Sequence, residues 1–379
     1  MATIAAVRIP FEIKRRIERA VQWLLLRQER SKGYWGEESP WLTGIVIWAL
    51  ALSTRQLDNL ELRMAAGDAI EAAIKWLQSC QNESGWDVEV GTWDTAIIVR
   101  GMIAAGKVSS PLCQSALDYL DKRGRDWFGK TKVPYGEGYP AQTLLALIEG
   151  GRDRSNYRWI TETLKQEQDS QEGAWEDHLT SPEVIEAICI AEGKDALWKI
   201  YSAHGNYDGG LSKAVRWIEK SQSRYGHWGG YTWHTATTLR CYLIAAQHPD
   251  GKVIGKALSW LLNQQHPTDG SWFHSVELTA FAVQSLCSIL EQGNELLEAI
   301  TPPILGPEPA GNVARPSRIL SWRTRWIILS ATILLVSLFD VFWVQHVGGG
   351  ITLGLQLIEA QGVVVAAILG FIGLVKRRE

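Results

Sequence analysis

The chain has 379 residues, of which 46% are hydrophobic, and its 38 Lys and Arg against 41 Asp and Glu leave a formal charge of −3. At about 150 residues per domain, two or three domains are expected, and the near balance of charge, with no basic stripe before the C-terminal region, excludes a nucleic-acid footprint. The five cysteines, Cys80, Cys113, Cys189, Cys241 and Cys287, form no CxxC pair, and the start MATIAAVRIPFEIKRR lacks the apolar core of a signal peptide, so they read as reduced cytosolic thiols.

The nineteen tryptophans are placed periodically. The first copy of the pattern runs Arg19-Ala20, Trp23-Leu24, Gln28, Gly33-Tyr34-Trp35, and the second Ala73, Trp76-Leu77, Gln81, Gly85-Trp86. A degraded third has Tyr119-Leu120 leading to Trp127-Phe128-Gly129, and a degraded fourth Trp159-Ile160 leading to Gly173-Ala174-Trp175. The fifth runs Lys213-Ala214, Trp217-Ile218, Gln222, Gly226-His227-Trp228, and the sixth Lys256-Ala257, Trp260-Leu261, Gln265, Gly270-Ser271-Trp272. The mean interval of about 47 residues holds two helices and two turns.

Before each Gly-Trp turn the pattern is amphipathic, as in Ile70, Ala73, Ile74 and Leu77 on one helical face. After it comes a helix apolar nearly all round, such as Thr95-Ala-Ile-Ile-Val-Arg-Gly-Met-Ile-Ala-Ala, which implies burial among other helices. No strand-like alternation competes with this pattern. Six hairpins with an outer amphipathic and an inner apolar layer bury both faces only if the array closes, so the sequence predicts an all-α, α6/α6 toroid over residues 11–300. The pattern tryptophans are expected to act as structural staples, with each indole N–H needing a polar partner and each Gln bridging backbone groups at a helix end.

The pattern [KR]-A-x2-W-[LI]-x3-Q-x3-4-G-x-W resembles the QW repeat of the terpene cyclase and squalene cyclase family, whose relatives include protein prenyltransferase β-subunits. The resemblance covers about 290 residues and implies an α6/α6 barrel whose inner helices enclose an apolar, aromatic-lined cavity for isoprenoid chains. Trp41-Leu42-Thr43-Gly44, Trp93-Asp94-Thr95-Ala96 and Trp233-His234-Thr235-Ala236 each open an inner helix, with Leu278-Thr279-Ala280 as a partial fourth. Thr at such a start is expected to cap it, and Asp94 is stabilised there as an anion by the helix dipole.

In class II terpene cyclases a DxDD-T-A motif supplies the proton, but this chain reads Gly91-Thr92-Trp93-Asp94-Thr95-Ala96 and contains no DxDD. Without clustered carboxylates nothing obvious raises a pKa to make a buried acid. Prenyltransferase β-subunits hold zinc with an Asp-x-Cys pair and a later His; His234 resembles that His, but Asp-x-Cys is absent. His178, Cys189, His234 and Glu277 are a scattered replacement set, so neither metal nor cofactor is expected. Asp87, Glu89, Glu176 and Asp177 read as solvated turn charges. The Cys-Gly-Glu-Gln string of complement-type thioester toroids is also absent.

Residues 301–318 form a Pro-rich linker, and residues 319–379 read as a transmembrane hairpin. Trp326 to Gln345 carries one charge, Asp340, over a length that gives a helix of about 30 Å, and Ile351 to Val375 returns through Glu359. Arg315, Arg318, Arg323 and Arg325 flank one end and Lys376 to Arg378 the other, which puts both ends and the toroid on the cytoplasmic side of the cell membrane. Asp340 and Glu359 face protein or water, lining a polar path if hairpins self-associate, or else lie at the interface.

The expectation is a membrane-anchored toroid that binds an isoprenoid or other apolar ligand in its lumen. If it is catalytic, Asp94 and His234 are the acid and base, with Trp41, Trp93, Trp233 and Glu277 around the ligand. The rival is a non-catalytic sensor or scaffold acting on the membrane through its hairpin.

Overall fold

The computed structural model describes residues 2–82, 85–86, 92–128, 138–169, 172–175, 178, 180–202 and 205–292. Among these, twelve α-helices alternate between two layers. The outer helices are α1 (Ala2–Leu26), α3 (Leu60–Ser79), α5 (Pro111–Phe128), α7 (Arg158–Gln166), α9 (Leu211–Ser221) and α11 (Gly251–Gln264). The inner ones are α2 (Pro40–Thr54), α4 (Trp93–Ala104), α6 (Gly138–Glu149), α8 (Thr180–Glu192), α10 (Thr232–Ala245) and α12 (Val276–Glu291). Each inner helix packs on the next, and α12 packs on α2, so the inner layer closes into a ring.

The layer assignment follows from the apolar pattern. The outer helix α3 buries Ile70, Ala73 and Leu77 with Ile74 half-buried beside them, whereas the inner helix α4 is buried continuously from Thr95 to Met102. Short polar residues start several helices: Ser39 accepts the N–H of Leu42 for α2, Asn59 that of Leu62 for α3, and Ser275 that of Leu278 for α12. Pro40 follows its cap at the first helical position, where its missing N–H is harmless.

One set of hydrogen bonds recurs between the layers. Trp35, Trp86, Trp175, Trp228 and Trp272 are buried, and their indole N–H groups donate to the carbonyls of Leu24, Leu77, Leu164, Ile218 and Leu261 at 2.6–2.8 Å. Gln28, Gln168, Gln222 and Gln265 donate to Gly33, Gly173, Gly226 and Gly270 of their own turns. The same amides reach the carbonyls of Ala69, Gly210, Val253 and Arg16 at the next outer helix. Each Gln thus ties one turn to its neighbour, and the bond from Gln265 to Arg16 joins the last outer helix to the first.

The structure corrects four expectations. In the fourth unit the carbonyl that receives the Trp175 indole belongs to Leu164, so the counterpart of Trp23 is Thr163, one helical turn past Trp159, and the staple glutamine is Gln168. In the third unit α5 continues through Trp127 and Phe128, which are helical rather than the turn. Thr43, Thr95, Thr235 and Thr279 do not cap their helices; their hydroxyls accept the backbone N–H of Trp35, Trp86, Trp228 and Trp272, and Ser181 does the same for Trp175. A two-stranded antiparallel hairpin, β1 (Leu197–Ser202) with β2 (Gly205–Gly210), interrupts the helices, because Trp198, Ile200 and Tyr201 favour extended backbone.

No described helix is long and apolar enough to cross a membrane, and the proposed spans, with Asp340 and Glu359, lie outside the described residues.

Candidate functional site in the lumen of the ring

Every inner helix has one stripe facing the axis, and the residues that meet there identify it. Arg100 on α4 reaches Glu186 on α8 at 2.6 Å, past the intervening α6, and Arg240 on α10 reaches the same carboxylate at 2.7 Å. Both guanidinium groups lie over the Trp48 ring of α2, at 4.2 and 4.7 Å from its centroid. Arg100 also pairs with Glu149 at 2.7 Å and donates to Gln142 of α6 at 2.9 Å. Side chains from five inner helices therefore form a charged and aromatic plug across the lumen.

On the side of the helix C-termini the plug floors a cavity of about 270 Å³, whose lining includes Leu52, Ala104, Ile190, Ile244 and Ser288. On the side of the helix N-termini the register is simple. Trp41, Trp93 and Trp233 stand seven residues before Trp48, Arg100 and Arg240, and Glu277 stands eleven before Ser288. Seven or eleven residues bring a side chain back to within about 20° of the same direction, so these four residues face the axis as well, at a level about 10 Å nearer the N-terminal mouth for the seven-residue step. The rings of Trp41 and Trp93 lie 5.7 Å apart, and Trp233 stacks on Phe281 at 6.1 Å. The residues expected around a ligand thus share the lumen-facing stripe.

Asp94 and His234 follow Trp93 and Trp233 by one residue, which turns them about 100° from that stripe. Both are half-buried, and the His234 ring packs against Tyr231 at 5.3 Å and Trp233 at 5.4 Å.

The replacement zinc set does not assemble. Cys189 lies near the C-terminal end of α8, its thiol directed at the carbonyl of Ile244 near the end of α10, whereas His234 and Glu277 open their helices and His178 stacks on Trp217 at 5.0 Å. At about 1.5 Å per residue along parallel inner helices, Cys189 is far from the other three.

Electrostatics separates the acids of the ring. Burial would raise the Glu186 carboxyl, but Arg240 and Arg100 outweigh it and hold the group below the usual carboxylate range. Glu183, one turn nearer the mouth on α8, is equally buried; desolvation pushes it up to about 8 against the hydrogen bond from Gln142 and the more distant arginines. The shift favours the neutral carboxylic acid, which can donate a hydrogen bond inside the ring. Burial also raises Glu277 at the mouth.

Solved structures share this fold at low identity. A variant of the type II terpene cyclase MstE from Scytonema, in complex with geranylgeranyl dihydroxybenzoate, matches with a TM-score of 0.54 and 18% identity over 74% of this chain and 97% of that chain. A protein from Actinoplanes matches at 0.54 and 19% over 73% and 99%. The GH76A α-1,6-mannanase from Salegentibacter matches at 0.50 and 12% over 76% and 98%. No family profile and no curated protein matches the sequence. The chain is thus a helical toroid of the terpene-cyclase kind in its fold.

The plug and Glu183 were missed by sequence reasoning, although the signal was present. Arg100, Glu186 and Arg240 each interrupt an otherwise apolar inner-helix run, as in Ile97-Ile98-Val99-Arg100, Val184-Ile185-Glu186-Ala187 and Thr238-Leu239-Arg240-Cys241. Charges in helices that are buried all round pair with one another.

Proposed function

We propose that the toroid binds an isoprenoid-like ligand in the N-terminal half of its lumen, without the proton-initiated ring closure of class II cyclases. The ligand's apolar chain lies against Trp41, Trp93, Trp233 and Phe281, and its polar end, a neutral oxygen, accepts a hydrogen bond from Glu183 above the plug. The observation that carries this reading is the shared stripe of mouth aromatics and plug, with the buried Glu183 carboxyl between them. A neutral acid with an elevated pKa is a good donor to a carbonyl or hydroxyl oxygen and a poor protonator of an alkene. Support for the apolar chain comes from the fold, which this protein shares with an MstE variant in complex with geranylgeranyl dihydroxybenzoate. Residues 319–379 are proposed to anchor the ring to the cell membrane as a hairpin with both ends cytoplasmic, Asp340 and Glu359 lying within or beside the spans.

A second reading is supported by the plug: its ionic core fills the middle of the ring, which suits a ligand-gated scaffold that acts on the membrane through the hairpin and its self-association. In a converting enzyme, Asp94 and His234 would be the acid and base, working beside the lumenal stripe rather than on it.

Native mass spectrometry with lipid extraction of protein purified from its own membrane separates these readings. A co-purifying isoprenoid lost in Trp93→Ala and Glu183→Ala, yet retained unchanged in Asp94→Ala and His234→Ala, is the expected outcome. A ligand chemically altered between wild type and Asp94→Ala or His234→Ala points to an enzyme, and no lipid in any sample refutes lumenal binding.

A further inference from the structure

The loop between α11 and α12 holds three groups that the lumen does not use. Asp269 lies between two histidines, with His274 Nδ1 at 2.8 Å from one carboxylate oxygen and His266 Nδ1 at 3.4 Å from the other. The two imidazole rings are 4.5 Å apart. One ligating atom from each of the three residues lies within 4.8 Å of the others, the only such trio of His, Cys, Asp or Glu among the described residues. The Asp269 carboxylate is oriented by the N–H and hydroxyl of Ser271, at 2.9 and 2.7 Å.

The backbone gives the independent observation. After the buried Trp228 the chain takes left-handed φ values of +61° and +78° at Gly229 and Gly230, where glycine adopts them freely. After the buried Trp272, in the corresponding turn, the same two positions are Phe273 and His274, both at φ +54°. Side chains in consecutive left-handed positions are strained, and such strain persists where the surroundings hold it and clusters at ligand sites. What the strained position achieves here is to bring the His274 ring onto Asp269 and His266.

We propose that His266, Asp269 and His274 bind a divalent first-row transition-metal ion, with Zn²⁺ the best match to two imidazoles and one carboxylate. The ion takes the place of the direct contact between His274 Nδ1 and the Asp269 carboxylate, and water completes the four-coordinate shell. Ligand atoms of a tetrahedral zinc site with bonds of about 2.0–2.1 Å lie roughly 3.3 Å apart, so side chains at most 4.8 Å apart need move by only about an ångström. Ser271 then supplies the hydrogen bonds that orient the carboxylate, as outer-shell partners do. The nearby cation is Arg19 of α1, whose guanidinium donates to the carbonyls of His266 and Pro267 and is thereby turned toward the backbone. Because this loop touches α1 and starts α12, the metal fixes the seam where the ring closes.

The test is equilibrium dialysis of the full chain, purified without a polyhistidine tag, against Zn²⁺, with Co²⁺ absorption as a probe of ligand geometry. His274→Gly is the informative variant, since glycine accepts φ +54° and leaves the fold intact or firmer. Wild type is expected to bind a single equivalent and to melt higher with Zn²⁺, with binding weakened at least tenfold in His274→Gly and Asp269→Asn and the Zn²⁺-dependent melting shift lost. Absence of stoichiometric Zn²⁺ in the wild type overturns the proposal, as does wild-type binding by both variants.

Discussion

Glu186→Gln is the sharpest test of the plug. The Glu186 side chain is 1% exposed and compensates two buried guanidiniums, at 2.6 Å from Arg100 and 2.7 Å from Arg240. With Glu149 as the second acid, the two positive and two negative groups balance; the amide leaves one net positive charge in the ring. Removing one partner of a buried pair costs about 3–5 kcal/mol, because the remaining charge is stranded. That is a large fraction of a typical folding free energy of about 5–15 kcal/mol. The assay is urea unfolding of the wild type, Glu186→Gln, Arg240→Met and the double variant. In the double variant Met restores charge balance and keeps a long side chain over Trp48, so it should be more stable than Glu186→Gln alone, with a coupling of about 1–3 kcal/mol. Glu186 also sets an acid limit. Its folded pKa is depressed, so its contribution is complete above the unfolded value of 4.5 and is lost as pH falls through the folded value. A loss below about 1 kcal/mol in Glu186→Gln, or a double variant no better than that single one, refutes the charge-balance argument.

Glu183 has the opposite sign: its folded pKa of about 8 lies above the unfolded 4.5, so its stabilising protonation is complete below 4.5 and fades as pH rises through 8. At about 1.4 kcal/mol per pKa unit this amounts to a few kcal/mol, and Glu183→Gln should unfold later than wild type at pH 9 and flatten stability between pH 5 and pH 8 in denaturant titrations. Gly226 has φ +100°, and an added Cβ would collide with the Lys256 carbonyl oxygen, whereas one at Gly230 would meet open space. Gly226→Ala should therefore lower stability by well over about 1 kcal/mol and Gly230→Ala by about 1 kcal/mol; equal melting temperatures would contradict this. Trp272→Phe keeps most of the buried volume but leaves the Leu261 carbonyl without its 2.8 Å donor, and calorimetry should find a loss of about 1–3 kcal/mol.

The ring was legible because its signals are local and repeated. Trp and Gln at fixed offsets gave the outer helices, and continuous apolar runs gave the inner ones. Where a unit departs from the pattern, the nearest aromatic misleads: Trp159 stands one turn before the position that Thr163 occupies, although Leu164-x3-Gln168-x4-Gly173-x-Trp175 reproduces the spacing of Leu24-x3-Gln28-x4-Gly33-x-Trp35. Trp41, Trp93 and Trp233 are legible in the sequence as aromatics at helix starts, and helical register relates them to the plug residues seven positions on. Asp94 and His234 were selected for their chemistry, and only a fixed axial direction, supplied by the contacts of Arg100 and Arg240, reveals the turn of about 100° between them and the lumen. The partners of the plug lie on separate helices, 86 residues apart for Arg100 and Glu186 and farther still for Trp48 and Arg240, so no single window of sequence contains it.

The plug also explains how a ring of this kind can keep its shape. Consecutive inner helices already pack on one another, but neighbour contacts alone leave the bore free to flatten. Arg100, Glu186 and Arg240 join α4, α8 and α10, which are not neighbours, and Trp48 and Gln142 bring in α2 and α6. Such cross-ring bonds act as spokes of fixed length. A buried ionic group adds little net stability compared with well-packed apolar residues, yet it resists any rearrangement that would separate its members. Replacing all four charges, Glu149 included, by apolar residues should therefore leave a stable ring whose mouth is less well defined. Under the proposed lumenal binding, ligand affinity at Trp93 and Trp233 should then fall while the melting temperature holds. If affinity were unchanged in such a variant, the spokes would not set the mouth.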